Sequence, residues 1–175
     1  MNKPGRQYRY QEPDATMTLR EGHAEYCAAN NLLDPDAFES EKAAELFACH
    51  DHCHIVFGTN TDIIQEGMTD FWTMWGADVG VKRYMEYLED PVTKQFAKDL
   101  MKQFTWREII WDQLCSLPYY WRIWRASKRM KKKWEFFNYA AYLDTPLNEI
   151  RETFGIELVE LPPIRRPVTA EMPAR

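Results

Sequence analysis

The chain is predicted to fold as an all-α, single-domain helical bundle of about seven or eight helices. Three observations predict it. Apolar residues recur at the 3.6-residue period in nearly every segment, and no segment alternates convincingly between apolar and polar residues. Only seven glycines occur in 175 residues, which argues against an all-β fold rich in tight turns. A chain of this length is most simply one domain with a proper core.

The elements read in order as follows. Residues 1–16, polar and holding two prolines, are expected to be a flexible arm ahead of a helical domain at 17–161 and a Pro-rich tail at 162–175. A first helix is predicted from Thr18 to about Asn30, with Leu19, His23, Tyr26 and Cys27 at helical spacing. Ser40 opens a second helix, which ends near Gly58. Asp62 and Gln65, three apart, resemble a capping box that would set Glu66 in the first turn of a third helix ending at Gly76. A fourth helix runs from about Val79 to Glu89. Asp90-Pro91 then reads as cap and first helical residue of a fifth, with Phe96, Leu100 and Phe104 as its buried stripe. Thr105 and Glu108 make another capping box, and Pro118 is expected to break the helix that follows. A further helix should continue to about Tyr142. Thr145-Pro146 caps a last short one, closed by Gly155, and Pro162-Pro163 begins the tail.

Three of the four histidines fall within Cys49-His50-Asp51-His52-Cys53-His54. On a helix His50 and His54 share one face, and Asp51 borders it. Glu66 could join them from the next helix. Two neutral imidazoles and carboxylate oxygens suit a divalent metal, with zinc preferred and iron, cobalt or manganese compatible. Asp51 is a ligand or an acceptor for a ligating imidazole, ligation being preferred. His52 should point away from His50 and be exposed. Cys49 and Cys53 lie about 100° round the helix from the histidines and read as packed thiols. His23 with His50-Asp51 also admits an HD-type metal phosphohydrolase.

Net charge is −5, but residues 122–133 carry seven basic and no acidic residues, leaving 15 basic against 27 acidic elsewhere. The acidic remainder opposes nucleic-acid binding. Within residues 119–134 aromatic and basic side chains mix, which fits contact with an anionic membrane surface. No signal peptide or 18-residue apolar run is seen, so a cytoplasmic protein peripheral to the inner face of the membrane, with free thiols, is the expectation.

The pattern His50-Asp51-x-x-His54, eleven residues, then Glu66 resembles the metal signature of the ubiquinone-biosynthesis family called Coq-four. Gly58 and Thr61 stand where that family's turn has a glycine and a threonine. Pro146-Leu147-Asn148-Glu149-Ile150-Arg151, with Gly155-Ile156, resembles its C-terminal block. The chain departs from the pattern at Gln65, where a glycine is usual, and at His52 and Cys53. The family's long N-terminal region has no counterpart here. The resemblance implies a helical, metal-dependent protein, peripheral to membranes and often homodimeric. Its metal ligands would be His50, Asp51, His54 and Glu66. It implies action on a prenylated hydroxybenzoate, with loss of the ring C1 carboxylate coupled to hydroxylation. The alternative it leaves open is a non-catalytic scaffold binding the prenyl lipid and other quinone-biosynthesis proteins. The apolar run Phe71, Trp72, Met74 and Trp75 reads first as core, and second as the lining of an apolar channel beside Glu66 that would hold the isoprenoid tail.

Overall fold

The computed structural model describes residues 6–30, 40–91, 93–95, 98, 102 and 104–163. Among them are six α-helices: α1 (Leu19–Asn30), α2 (Glu41–Phe57), α3 (Ile63–Gly76), α4 (Gly80–Leu88), α5 (Trp106–Arg129) and α6 (Leu147–Phe154). Two 3₁₀ segments, Arg9–Gln11 and Phe136–Tyr142, complete the eight helical elements. No strand occurs among the described residues, which hold two isolated bridges, Thr18 to Pro146 and Ala77 to Trp134. The fold is all-α, as the apolar period predicts.

Local chemistry sets the helix ends that matter for the site. Ser40 accepts a hydrogen bond from the Ala43 N–H and starts α2. Gly58, at φ 68°, stops it in the left-handed region that favours glycine. Asp62 caps α3 by accepting from the Ile64 N–H. The expected box with Gln65 does not form, because the Gln65 side-chain oxygen accepts from the Asn60 N–H in the turn instead. Glu66 does fall in the first turn of α3. The Thr105–Glu108 box at the start of α5 forms in full. Phe104 is half-buried, while Phe96 and Leu100 lie outside the described residues.

Three expectations are corrected. Pro118 does not break its helix: α5 runs through it without interruption. Pro118 is exposed, so water can take the carbonyl its ring leaves unpaired, and the part of α5 that follows is packed against α3 through Tyr120 on Phe71 and Lys128 over Trp75. The helix expected to reach Tyr142 ends instead at Arg129. There the chain turns so that Lys131 N–H reaches Phe154 O and Trp134 N–H reaches Gly76 O. That turn buries Trp134 completely, which outweighs local helix propensity. The arm, from residue 6 on, is packed. Tyr10 is fully buried, stacks on Tyr8, and donates through its hydroxyl to Thr59 O.

The core gathers Tyr10, Leu19, Tyr26, Ile55, Phe57, Met68, Trp72, Trp134 and Phe154 around α2 and α3. Each large side chain sealed there contributes about 1.5–3 kcal/mol. Arg151 of α6 is also inside. Its guanidinium donates to four carbonyls: Val56 and Ile55 at the end of α2, and Tyr10 and Glu12 of the arm.

Candidate metal centre

Two helices joined by the short Gly58–Asp62 turn build the site. α2 and α3 lie side by side and antiparallel, so that His54 meets Glu66 and His50 meets Asp70 one helical turn further along each. His54 Nε2 is 3.2 Å from Glu66 Oε2, and His50 Nε2 is 3.9 Å from Glu66 Oε1. The donor atoms of His50, His54 and Glu66 all lie within 4.8 Å of one another, and among the described residues they form the metal-capable group of this kind. Metal bonds of about 2.1 Å at tetrahedral angles would separate neighbouring donors by about 3.4 Å. The two histidine–glutamate spacings bracket that value, and a separation of up to 4.8 Å within the group would have to close on an ion.

Two threonines stand behind His54. Thr69 Oγ1 donates to Gln65 O, at 2.9 Å, and lies 3.1 Å from His54 Nδ1, while Thr59 Oγ1 lies 3.3 Å from the same nitrogen and 2.6 Å from Thr69 Oγ1. Burial pushes the His54 pKa down despite the Glu66 charge, favouring the neutral ring. The 3.2 Å between His54 Nε2 and the carboxylate oxygen is a spacing that either a ring proton or a cation held between them satisfies.

The other titrations follow from the same crowding. Burial would lower His50, but its hydrogen bond to Asp70 and the charges of Glu66 and Asp70 outweigh it and raise the pKa to about 9. Burial would raise Glu66, and the two imidazoles overcome that and hold it below its usual value. His54 is closed off at 1 % side-chain exposure, whereas Glu66 is 27 % and Asp70 43 % exposed. The site is therefore reached from the α3 side.

Asp51, half-buried, and Asp70 both stand outside the group of three, although Asp70 Oδ1 is 3.2 Å from His50 Nε2. Burial, opposed by His50 and helped by Glu66, pushes the Asp51 carboxyl up to about 7. His52 is not exposed as expected but 4 % accessible. Its ring is sandwiched between His23, at 4.5 Å, and Tyr139, at 4.0 Å, and its Nδ1 bonds Ala48 O. The chain segment 136–142 folds back over this flank of α2, a long-range event that helix period does not foretell. His23 lies with His52 in that stack and not among the metal-capable donors. Cys49 and Cys53 are buried free thiols, as read from their register.

The three aromatic residues of α3 divide. Trp72 is fully buried and stacked on Phe57, at 4.6 Å. Phe71 stacks on Tyr120 and is half-buried, as is Trp75, over which Lys128 sits. Trp72 is thus core, and Phe71 and Trp75 alone reach the surface beside α5. Within residues 119–134, Trp121 is exposed and stacked on Trp124, but Trp134 is buried. Arg122 and Arg129 are paired with Glu160 and Glu157.

Asp70, Thr59, Thr69 and Tyr84 complete the surroundings and were not anticipated. Asp70 had a legible signal: it follows Glu66 by four residues, the same interval as His50 to His54. The threonines and Tyr84 had none, since their roles depend on how the helices meet. Thr61, marked by the family resemblance, donates to the Asn30 side chain, at 2.8 Å, and ties the turn to the end of α1. No family model, curated protein or solved structure matches the chain.

Proposed function

We propose that the protein is a divalent-metal enzyme of prenylquinone biosynthesis that acts on a prenylated hydroxybenzoate at a membrane surface. The observation that carries the metal reading is the convergence of His50, His54 and Glu66 from two helices, with His54 Nε2 3.2 Å from the Glu66 carboxylate. The substrate class rests on the resemblance of these residues and of the Pro146–Ile156 block to the Coq-four pattern. The reaction would break the bond from ring C1 to its carboxylate, releasing carbon dioxide. The hydroxyl that replaces it comes from an external two-electron oxidant.

A bound divalent ion, zinc preferred and iron, cobalt or manganese compatible, supplies Lewis acidity toward an oxygen of the ring or its carboxylate. The chain's own groups do the rest. Thr59 and Thr69 hold the orientation of the His54 ring. The buried Tyr26, stacked on His54, and Tyr84, stacked on His50, wall the site from water on the core side. The half-buried Phe71 and Trp75 offer an apolar path for an isoprenoid tail, whose binding would position the ring.

An exposed row on α5 supports docking to lipid. Trp106, Ile110, Leu114, Leu117 and Trp121 follow one another at four, four, three and four residues, and each is more than half exposed. This same row favours the second reading, a non-catalytic scaffold that binds prenyl lipid and other quinone-biosynthesis proteins, for which turnover is unnecessary. In neither reading does a helix cross the bilayer: no described helix is long and apolar enough.

Purified protein assayed by elemental analysis and with a prenylated hydroxybenzoate separates the readings. His54→Ala and Glu66→Ala should each lose the metal and all turnover. Full turnover in metal-free protein would refute the enzyme reading. Metal and lipid retention without product from the loaded protein would select the scaffold.

A further inference from the structure

The four-residue intervals on the two facing helices are the starting point. His50 and His54 project from α2, and Glu66 and Asp70 project from α3, each pair one turn apart. Because the helices are antiparallel, each imidazole faces one carboxylate: His54 with Glu66, and His50 with Asp70, both at 3.2 Å. Glu66 also reaches toward His50, at 3.9 Å. A donor ring results in which His50 Nε2 has an oxygen on each side.

Asp70 is also held in place. The Tyr84 hydroxyl, from α4, donates to the same Oδ1 that faces His50, at 2.6 Å. Tyr84 is 2 % exposed, so its hydroxyl is a fixed anchor, and its ring stacks on that of His50. A hydrogen bond from a buried phenol orients a carboxylate in the way that outer hydrogen bonds orient metal-bound carboxylates generally. Asp51 lacks this placement. It is one residue, about 100°, round α2 from His50, within electrostatic reach of Tyr26 and Cys27 of α1 as well as of His50 and Glu66, but it makes no ion pair with either histidine, as Asp70 does with His50.

We infer that Asp70 supplies the fourth protein donor, so that the centre is a two-histidine, two-carboxylate site of His50, His54, Glu66 and Asp70. This rests on the reading of the site as a metal centre. It departs from the set implied by the family resemblance by replacing Asp51 with Asp70. The ligand class is a divalent cation that accepts mixed nitrogen and oxygen donors. Asp70 is the most exposed of the four, which puts it at the mouth where a substrate oxygen would approach.

Cobalt(II) serves as the probe, because its d–d bands report the ligand set. The metal-stripped full chain, Asp70→Asn, Asp51→Asn and Glu66→Ala are titrated with cobalt(II), and far-UV circular dichroism checks the fold. Asp70 is half-exposed, and asparagine keeps an oxygen to accept from the Tyr84 hydroxyl, so its substitution leaves the core intact. The expected result is one ion bound by the unsubstituted chain, with affinity lowered by at least about tenfold in Asp70→Asn. Loss of an outer hydrogen-bond partner alone costs that much or more. The d–d bands should also shift in Asp70→Asn and stay unchanged in Asp51→Asn. Unaltered affinity in Asp70→Asn overturns the inference and leaves the metal centre standing. So does weaker binding with unshifted bands, the mark of a group that only orients His50. So does a band shift in Asp51→Asn alone. If the unsubstituted chain binds no cobalt, the metal reading itself falls, and this inference with it.

Discussion

Arg151 shows how a single residue outside the site holds it together. It is 3 % exposed and has no carboxylate partner among its four acceptors, which are all backbone oxygens. Two of these are Ile55 and Val56 at the C-terminal end of α2, where unpaired carbonyls gather the negative end of the helix dipole. Burial lowers the guanidinium pKa to about 10, still far above neutrality. Arg151→Met leaves the buried Val56 and Tyr10 carbonyls without this donor, while Ile55 and Glu12 keep the Gly58 and Ala15 N–H groups, and it should cost roughly 3–5 kcal/mol. In a chain of this size that lowers the thermal midpoint by about ten degrees. Arg151→Lys should recover only part of it, since an ammonium cannot fork to four acceptors. A calorimetric midpoint for Arg151→Met within two degrees or so of the unsubstituted chain would show that the contacts carry no net weight. The residue belongs to the tail block that resembles a family motif, and its visible role here is to clamp the end of the histidine helix.

Among the helices, α5 is the one whose sequence misleads. Pro118 reads as a breaker by the local rule, because its ring removes a donor and crowds the carbonyl four residues back. The helix persists, since that stretch is exposed on one face and packed on α3 by the other. Pro118→Ala restores a hydrogen bond to Leu114 and should stabilise the fold by about 1–3 kcal/mol. An unfolding midpoint in urea that fell would contradict this account of the strain. The legible elements were those bounded by side-chain caps and glycines, such as Ser40 to Gly58, where the signal is within a few residues. Tertiary docking was not legible. Trp134 anchors a bend by its burial, and Tyr139 covers His52, through contacts across 87 residues of sequence in the latter case. The site divides the same way. His50, His54 and Glu66 are readable by spacing, Asp70 is readable from the same four-residue interval, and Thr59, Thr69 and Tyr84 depend on packing alone.

At the scale of the molecule, charge and apolar surface are distributed unequally. The α5 row of Trp106, Ile110, Leu114, Leu117 and Trp121 is exposed, and Arg122, Arg125, Lys128 and Arg129 follow at the same helix's end. If this face meets lipid, the protein should float with vesicles containing phosphatidylserine, and less with purely zwitterionic ones. Leu114→Glu with Leu117→Glu should abolish flotation without changing the circular dichroism. Equal recovery of this double variant and the unsubstituted chain would sink the membrane assignment. Salt should weaken the interaction only in part, because the basic groups at Arg122 and Arg129 are already engaged by glutamates.

His50, His54, Glu66 and Asp70 all fall within a stretch of 21 consecutive residues. The loop that an ion would close through the polypeptide is accordingly short, and little chain entropy separates the open from the closed form. Two helices and one turn thus contain the whole grip. The remaining segments act as its walls, so evolution or a protein engineer could rebuild them around an unchanged hairpin.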